Sequence, residues 1–270
     1  MTQDLAPTIT LTTQRFIEAA KVQPAQPGNH AARTRIKICG LTREEDVDAA
    51  VSAGADAVGF VLFAPSPRAV SPTRAAQLAK RLPPFVTPVL LFVNEQATNV
   101  IAASALIPGA TIQFHGDESP QACLAATGLG ARPYLRAARI PLGDGALQFD
   151  LVKYAHDYSH AQAILLDAHV DGYGGGGKAF NWSLLPPSVS SHLVLSGGLT
   201  PANVTDGILQ VRPRGFSLAV DVSSGVEADG PDGKPIKGIK DADKIHRFVA
   251  AVRAADAQLA KNPHELLSAT

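Results

Sequence analysis

A recurrent interval constrains this chain more than anything else in it. Short apolar runs of strand type begin near Arg35 (RIKIC), Ala57 (AVGFVLF), Pro88 (PVLLFV), Ala110 (ATIQFH), Arg132 (RPYLRAA), Ala163 (AILLD), His192 (HLVLS) and Gly215 (GFSLAVDV), at separations of 22, 31, 22, 22, 31, 29 and 23 residues. Each interval accommodates a strand, a helix and two turns. The stretches between the runs carry helix signals. Thr42-Arg-Glu-Glu45 reads as a capping box before Val47, Ala50 and Val51 at helical spacing. Ser71-Pro72 and Thr200-Pro201 each read as an N-cap before a Pro at the first helical position, and residues 244–254 as a last helix. An open doubly wound sheet alternates in the same way, but eight even units favour closure into a single (β/α)8 TIM barrel, which takes about 250 residues. The expected domain is 35–256, with an N-terminal extension over 1–34 and a tail over 257–270; the Pro/Gly/Asn/Ala stretch at 23–33 places the extension outside the fold.

Composition narrows the function. Lys plus Arg and Asp plus Glu are both 24, so the basic excess of a nucleic-acid binder is missing and no nucleic-acid partner is expected. The apolar stretches 57–63 and 88–93 are too short to span a bilayer. No Lys/Arg-led apolar block opens the chain, and two cysteines make no disulfide framework. A cytoplasmic protein without membrane contact is the expectation.

In a barrel, function gathers where strand residues point inward at the C-terminal ends. Lys37 and Cys39 share one face of the first run, Gln113 and His115 one face of the fourth, Asp167 closes the sixth, Asp221 the eighth, and Arg136 sits late in the fifth. Such groups are costly to bury on strands otherwise made of Ile, Leu, Val and Ala. Cys123, on an expected helix, reads as structural. Ser196-Gly197-Gly198 and Ser223-Ser224-Gly225 follow the seventh and eighth runs, where barrels hold phosphate on backbone N–H groups. No strand-end cluster has metal-ligand spacing, so no metal or cofactor is expected. The run Gly172-Tyr-Gly-Gly-Gly-Gly177-Lys178-Ala179 matches a dinucleotide pattern and most of a Walker A loop. It lacks the Mg²⁺-binding Ser/Thr, an acidic ribose partner about 20 residues on, and a helix directly behind it. It reads instead as a flexible loop over the barrel mouth.

These residues resemble the phosphoribosylanthranilate isomerase family of tryptophan biosynthesis. Lys37-Ile-Cys39-Gly40, the segment from Gly54 to Phe60 with Ser66-Pro67-Arg68, and Gln113-Phe-His115-Gly116-Asp117-Glu118 follow its pattern. So do Leu166-Asp167, the loop 172–182, Ser196-Gly-Gly-Leu199 with Pro201 and Asn203, and Asp221-Val-Ser-Ser-Gly-Val-Glu227. The resemblance implies a barrel acting on a phosphorylated small molecule, N-(5-phospho-β-D-ribosyl)anthranilate, by an Amadori rearrangement. It implies Cys39 as general base, Asp167 as general acid, and Arg68 on the anthranilate carboxylate. It also places the phosphate on Gly197, Gly198, Ser224 and Gly225. From the residues themselves, Asp221 reads as an orienting or substrate-hydroxyl contact, and Lys37, Gln113 and His115 are of second rank, His115 as a contact to the anthranilate ring or its carboxylate. Ala168 stands where the family more usually has Ser, and the loop 228–239 is longer than usual. A monofunctional enzyme, monomeric or homodimeric, is expected. The histidine-pathway aldose–ketose isomerase performs the same rearrangement with a carboxylate base, which Cys39 argues against. Indole-3-glycerol-phosphate synthase needs a lysine array not found here. A P-loop nucleotide-binding protein and a non-catalytic phosphate-binding barrel complete the alternatives.

Overall fold

The computed structural model describes residues 33–168 and 179–261. Residues 1–32 of the expected N-terminal extension, the Gly172–Gly177 run with Lys178, and the end of the tail lie outside the described residues.

Eight parallel strands close into a barrel: β1 (Arg35–Cys39), β2 (Ala57–Val61), β3 (Thr87–Phe92), β4 (Thr111–Phe114), β5 (Tyr134–Ile140), β6 (Ala163–Ala168), β7 (Leu193–Leu195) and β8 (Leu218–Val222). β1 pairs with β2 on one side and β8 on the other, which shuts the ring. The helices are α1 (Glu44–Ala53), α2 (Pro72–Ala79), α3 (Ala97–Ala105), α4 (Pro120–Ala126), α5 (Leu151–Asp157), α6 (Val204–Val211) and α7 (Ala242–Lys261). None is long and apolar enough to cross a membrane among the described residues. Between β6 and β7 the described residues contain only the short 3-10 turn Trp182–Leu184.

Local chemistry sets most helix starts. The Ser71 and Ser119 hydroxyls accept from the N–H groups of Arg74 and Ala122, each ahead of a Pro in the first turn. Such a cap contributes about 1 kcal/mol. Two expected starts are corrected. α1 begins at Glu44 with no side-chain cap, because the Thr42 hydroxyl donates to the Gly238 carbonyl instead. α6 begins at Val204, because Asn203 Oδ1 accepts the Thr200 N–H and turns the Thr200-Pro201 segment into a lead-in. The last helix runs to Lys261, beyond the expected boundary at 256. The long loop folds as a hairpin outside the barrel, β9 (Glu227–Asp229) with β10 (Pro235–Lys240).

The main core lies between barrel and helices, where Ile36 and Ile38 of β1, Phe60 of β2 and Ile112 of β4 meet the helix faces. Cys123 is fully buried there, which is the structural placement expected of it. A second, smaller cluster fills the barrel interior: Leu135, Ala137, Ala163, Leu165, Val194 and Ala219. The alternation between the two assigns every strand residue to one face.

Candidate active site

Following that alternation upward, Lys37 and Cys39, Gln113 and His115, Asp167, Ser196 and Asp221 all belong to the inner face at the C-terminal ends. All are nearly removed from solvent. Arg136 is a correction. β4–β5 register sets Gln113 opposite Leu135 and Phe114 opposite Arg136, so Arg136 faces the helices. There it donates to the carbonyls of Phe114 and Gly116 and lies over the Tyr158 ring, 4.9 Å from its centroid. The β5 arginine that belongs to the inner face is Arg139, opposite Asp167 in register and 3.4 Å from an Asp117 oxygen.

Cys39 sits in a compact charge cluster. Lys37 Nζ donates to Asp221 Oδ1 at 2.9 Å, and Ser196 Oγ donates to Asp221 Oδ2 at 3.3 Å. The closeness of sulfur and ammonium can be gauged at Gly59 on β2: a Cβ there would lie 2.6 Å from Cys39 Sγ and 3.1 Å from Lys37 Nζ. Burial pushes the Cys39 thiol above its ordinary value, Lys37 pulls it back, and the Asp221 charge pushes it up. Burial works against charge on Lys37 too, but Asp221 and Cys39 outweigh it and hold the ammonium charged.

Asp167 ends a chain of three side chains. Gln113 Nε2 lies 2.9 Å from His115 Nδ1, and His115 Nε2 lies 2.8 Å from Asp167 Oδ2. The other carboxylate oxygen accepts the Ala168 N–H at 3.0 Å. Both ring nitrogens of His115 therefore meet protein groups. Gly197 adjoins this carboxylate with φ +76°, and a Cβ there would fall 2.7 Å from Asp167 Oδ1. Only a residue without a side chain lets the turn after β7 pass so close.

Arg68 is brought in by the loop after β2. Its Nε and Nη2 donate to the two oxygens of Glu227 at 2.6 and 2.9 Å, a bidentate pair with Glu227 fully buried. Burial alone would raise the Glu227 carboxyl, but Arg68, Lys240 and the Gly238 N–H hold it below its ordinary value. Gly198, Ser224 and Gly225 stand on the loops after β7 and β8, packed so closely that a Cβ on Gly225 would strike the Leu199 carbonyl oxygen. Among the described residues, the N–H groups of Gly197, Gly198, Ser224 and Gly225 make no backbone hydrogen bond. Backbone donors left without a backbone acceptor in such turns are of the kind that can take an anion.

Sequence reasoning left out Arg139, Glu227 and Lys240, which folding brings against the candidate residues. For Arg139 the register with β4 was the missing signal. Glu227 ended a recognised motif, but its partner Arg68 is 159 positions away.

The family model for N-(5'-phosphoribosyl)anthranilate (PRA) isomerase matches residues 36–251. The N-(5'-phosphoribosyl)anthranilate isomerase of Methylibium petroleiphilum is 62% identical over 228 residues, covering 84% of this chain and 98% of that protein. The crystal structure of the isomerase from Thermotoga maritima superposes with a TM-score of 0.68 at 38% identity, over 82% of this chain and 99% of that one. A phosphoribosyl anthranilate isomerase in complex with reduced 1-(o-carboxyphenylamino)-1-deoxyribulose 5-phosphate superposes with a TM-score of 0.64 at 33% identity, over 82% and 99% of the two chains.

Proposed function

The chain belongs to the N-(5'-phosphoribosyl)anthranilate isomerase family, and we propose that Cys39 is its general base and Asp167 its general acid. The reaction is the isomerase step of tryptophan biosynthesis. It converts N-(5-phospho-β-D-ribosyl)anthranilate to 1-(2-carboxyphenylamino)-1-deoxy-D-ribulose 5-phosphate. One observation carries the assignment of roles: a thiol against an ammonium and a carboxyl group against an imidazole share the inner face of one barrel rim.

Asp167 delivers a proton to the furanose ring oxygen, and the C1–O bond breaks. The aniline nitrogen's lone pair moves in to give a protonated Schiff base. Its positive charge acidifies the C2 hydrogen, which the Cys39 thiolate removes. The enolamine that results tautomerises to the ketone, with no net change of oxidation state. His115 orients Asp167, since neither ring nitrogen is left for the substrate. Asp221 acts through Lys37, which it fixes beside the sulfur. Arg68 keeps Nη1 for the anthranilate carboxylate while Glu227 holds Nε and Nη2. The phosphate rests on the N–H groups of Gly197, Gly198, Ser224 and Gly225.

The test of function is complementation. The chain is expected to restore growth without tryptophan to an auxotroph lacking this isomerase, and the same chain carrying Cys39→Ala is not.

Two further outcomes are expected. Arg68→Ala raises KM by roughly one to two orders of magnitude, the worth of a charge-assisted hydrogen bond, and lowers kcat much less. A kcat loss with unchanged KM would remove Arg68 from the carboxylate seat. The second concerns pH. Burial raises the Cys39 thiol, so its thiolate, and with it kcat/KM, grows as pH rises through neutrality. Lys37→Met removes the charge that opposes burial, so the rising limb moves to higher pH: below the raised thiol value the variant is lower by a constant factor, and the gap closes only above it. Coincident profiles for the two proteins would rule out Lys37 as the stabiliser of the thiolate.

A further inference from the structure

The hairpin outside the barrel ends on Lys240, and no step of the reaction above uses it. Its side chain is wholly removed from solvent. Burying an ammonium is expensive unless its protons find acceptors. Lys240 Nζ finds three on two different structures: the Ser223 carbonyl at 2.9 Å, the Ser223 hydroxyl at 3.3 Å and Glu227 Oε1 at 3.4 Å. Ser223 immediately precedes Ser224 and Gly225 of the anion seat. Glu227 is the carboxylate that grips Arg68 with both oxygens.

The backbone around Lys240 is fixed from the barrel side. Its N–H donates to Asp46 Oδ2 at 3.2 Å, and its carbonyl accepts from Arg43 Nη2 at 3.3 Å. Two residues earlier, the Gly238 N–H donates to Glu227 Oε1 at 2.8 Å, and the Gly238 carbonyl accepts from the Thr42 hydroxyl at 2.7 Å. The anchor therefore belongs to the barrel frame and not to a swinging loop. Arg68 and Ser223 also converge at the turn after Cys39: a Cβ on Gly40 would lie 2.6 Å from Arg68 Cδ and 3.2 Å from Ser223 Oγ. Burial lowers the Lys240 ammonium from its ordinary value while Glu227 pulls it back up, and Arg68 and Lys240 flank Glu227 beside two subsites that each receive an anion.

We propose that Lys240 is a positioning residue that couples the two anion seats, fixing Arg68 through Glu227 and the phosphate loop through Ser223. The substrate carries a carboxylate at one end and a phosphate at the other. A single buried cation tied to both seats sets the separation between them, so that a ligand matching both ends is favoured over either half alone. The inference rests on the seats assigned above and adds the link between them.

The test separates the two ends. Anthranilate and D-ribose 5-phosphate are titrated independently into the full chain by calorimetry, for the wild type, Lys240→Met and Arg68→Ala. Arg68→Ala is expected to weaken anthranilate alone. Lys240→Met is expected to weaken both fragments by roughly tenfold, the scale of one lost charge-assisted hydrogen bond. It should raise KM for the whole substrate by more than it lowers kcat, whereas partial misfolding would lower the active fraction and leave KM alone. Lys240→Gln, which keeps a donor and sheds the charge, is expected to change both affinities in the same direction and carries the test if the methionine variant does not fold. Loss of one fragment only, or of neither, in the Lys240 variants overturns the coupling while the seats stand. If wild-type protein binds neither fragment, the seats themselves are wrong and the coupling falls with them.

Discussion

Cys39→Ala is expected to lower kcat by on the order of 10²–10⁴, the usual contribution of a positioned general base, with KM close to the wild-type value. The reason is specific to this thiol. Its neighbours fix its surroundings: Lys37 lies against the sulfur, Asp221 holds Lys37 at 2.9 Å, and Ser196 backs Asp221. Alanine leaves that frame in place and removes only the group proposed to accept the C2 proton. Steady-state kinetics following anthranilate fluorescence measures the loss. With substrate deuterated at C2, the residual activity of the variant is expected to show a full primary isotope effect, because proton removal is then the slow step. Activity equal to wild type would reject Cys39 as base.

Asp167→Asn is expected to cost a similar factor of about 10²–10⁴, but at a different step. Asparagine preserves size and keeps an oxygen for the Ala168 N–H; its amide nitrogen donates to His115 Nε2, so the imidazole proton moves to Nδ1 and Gln113 turns its amide oxygen toward it. It has no carboxyl proton to give to the ring oxygen. Ring opening becomes limiting, and the isotope effect from C2 deuterium should shrink toward unity while it persists in Cys39→Ala. This opposite response separates acid from base without relying on the size of either loss. A full C2 isotope effect in Asp167→Asn would place its role after ring opening and overturn the assignment.

Much of the site was legible because it sits at strand ends. Lys37 and Cys39 are two apart and so share a face, as do Gln113 and His115, and those pairs meet in the folded protein as alternation requires. Arg136 shows where alternation stops being sufficient. Both faces of a barrel strand are buried, so Tyr134, Arg136 and Ala138 read no differently from Leu135, Ala137 and Arg139. Only pairing with β4 decides which set enters the barrel. The helix starts divide in the same way. Ser71 and Ser119 cap as their own segments dictate, whereas Thr42 is drawn away by a carbonyl 196 positions distant.

The sequence by itself determined the repeating unit, its closure into eight strands and the identity of the thiol and carboxyl group at the rim. Those features are local, carried by hydrophobic periodicity and by residues two or three apart. Tertiary structure alone decided which arginine of β5 belongs to the interior, that Arg68 is held by Glu227, and that Lys240 spans from Glu227 to Ser223. The physical reason is distance along the chain. A buried ion pair is selected by which charges closure of the barrel forces out of water together, and no spacing in the sequence records that.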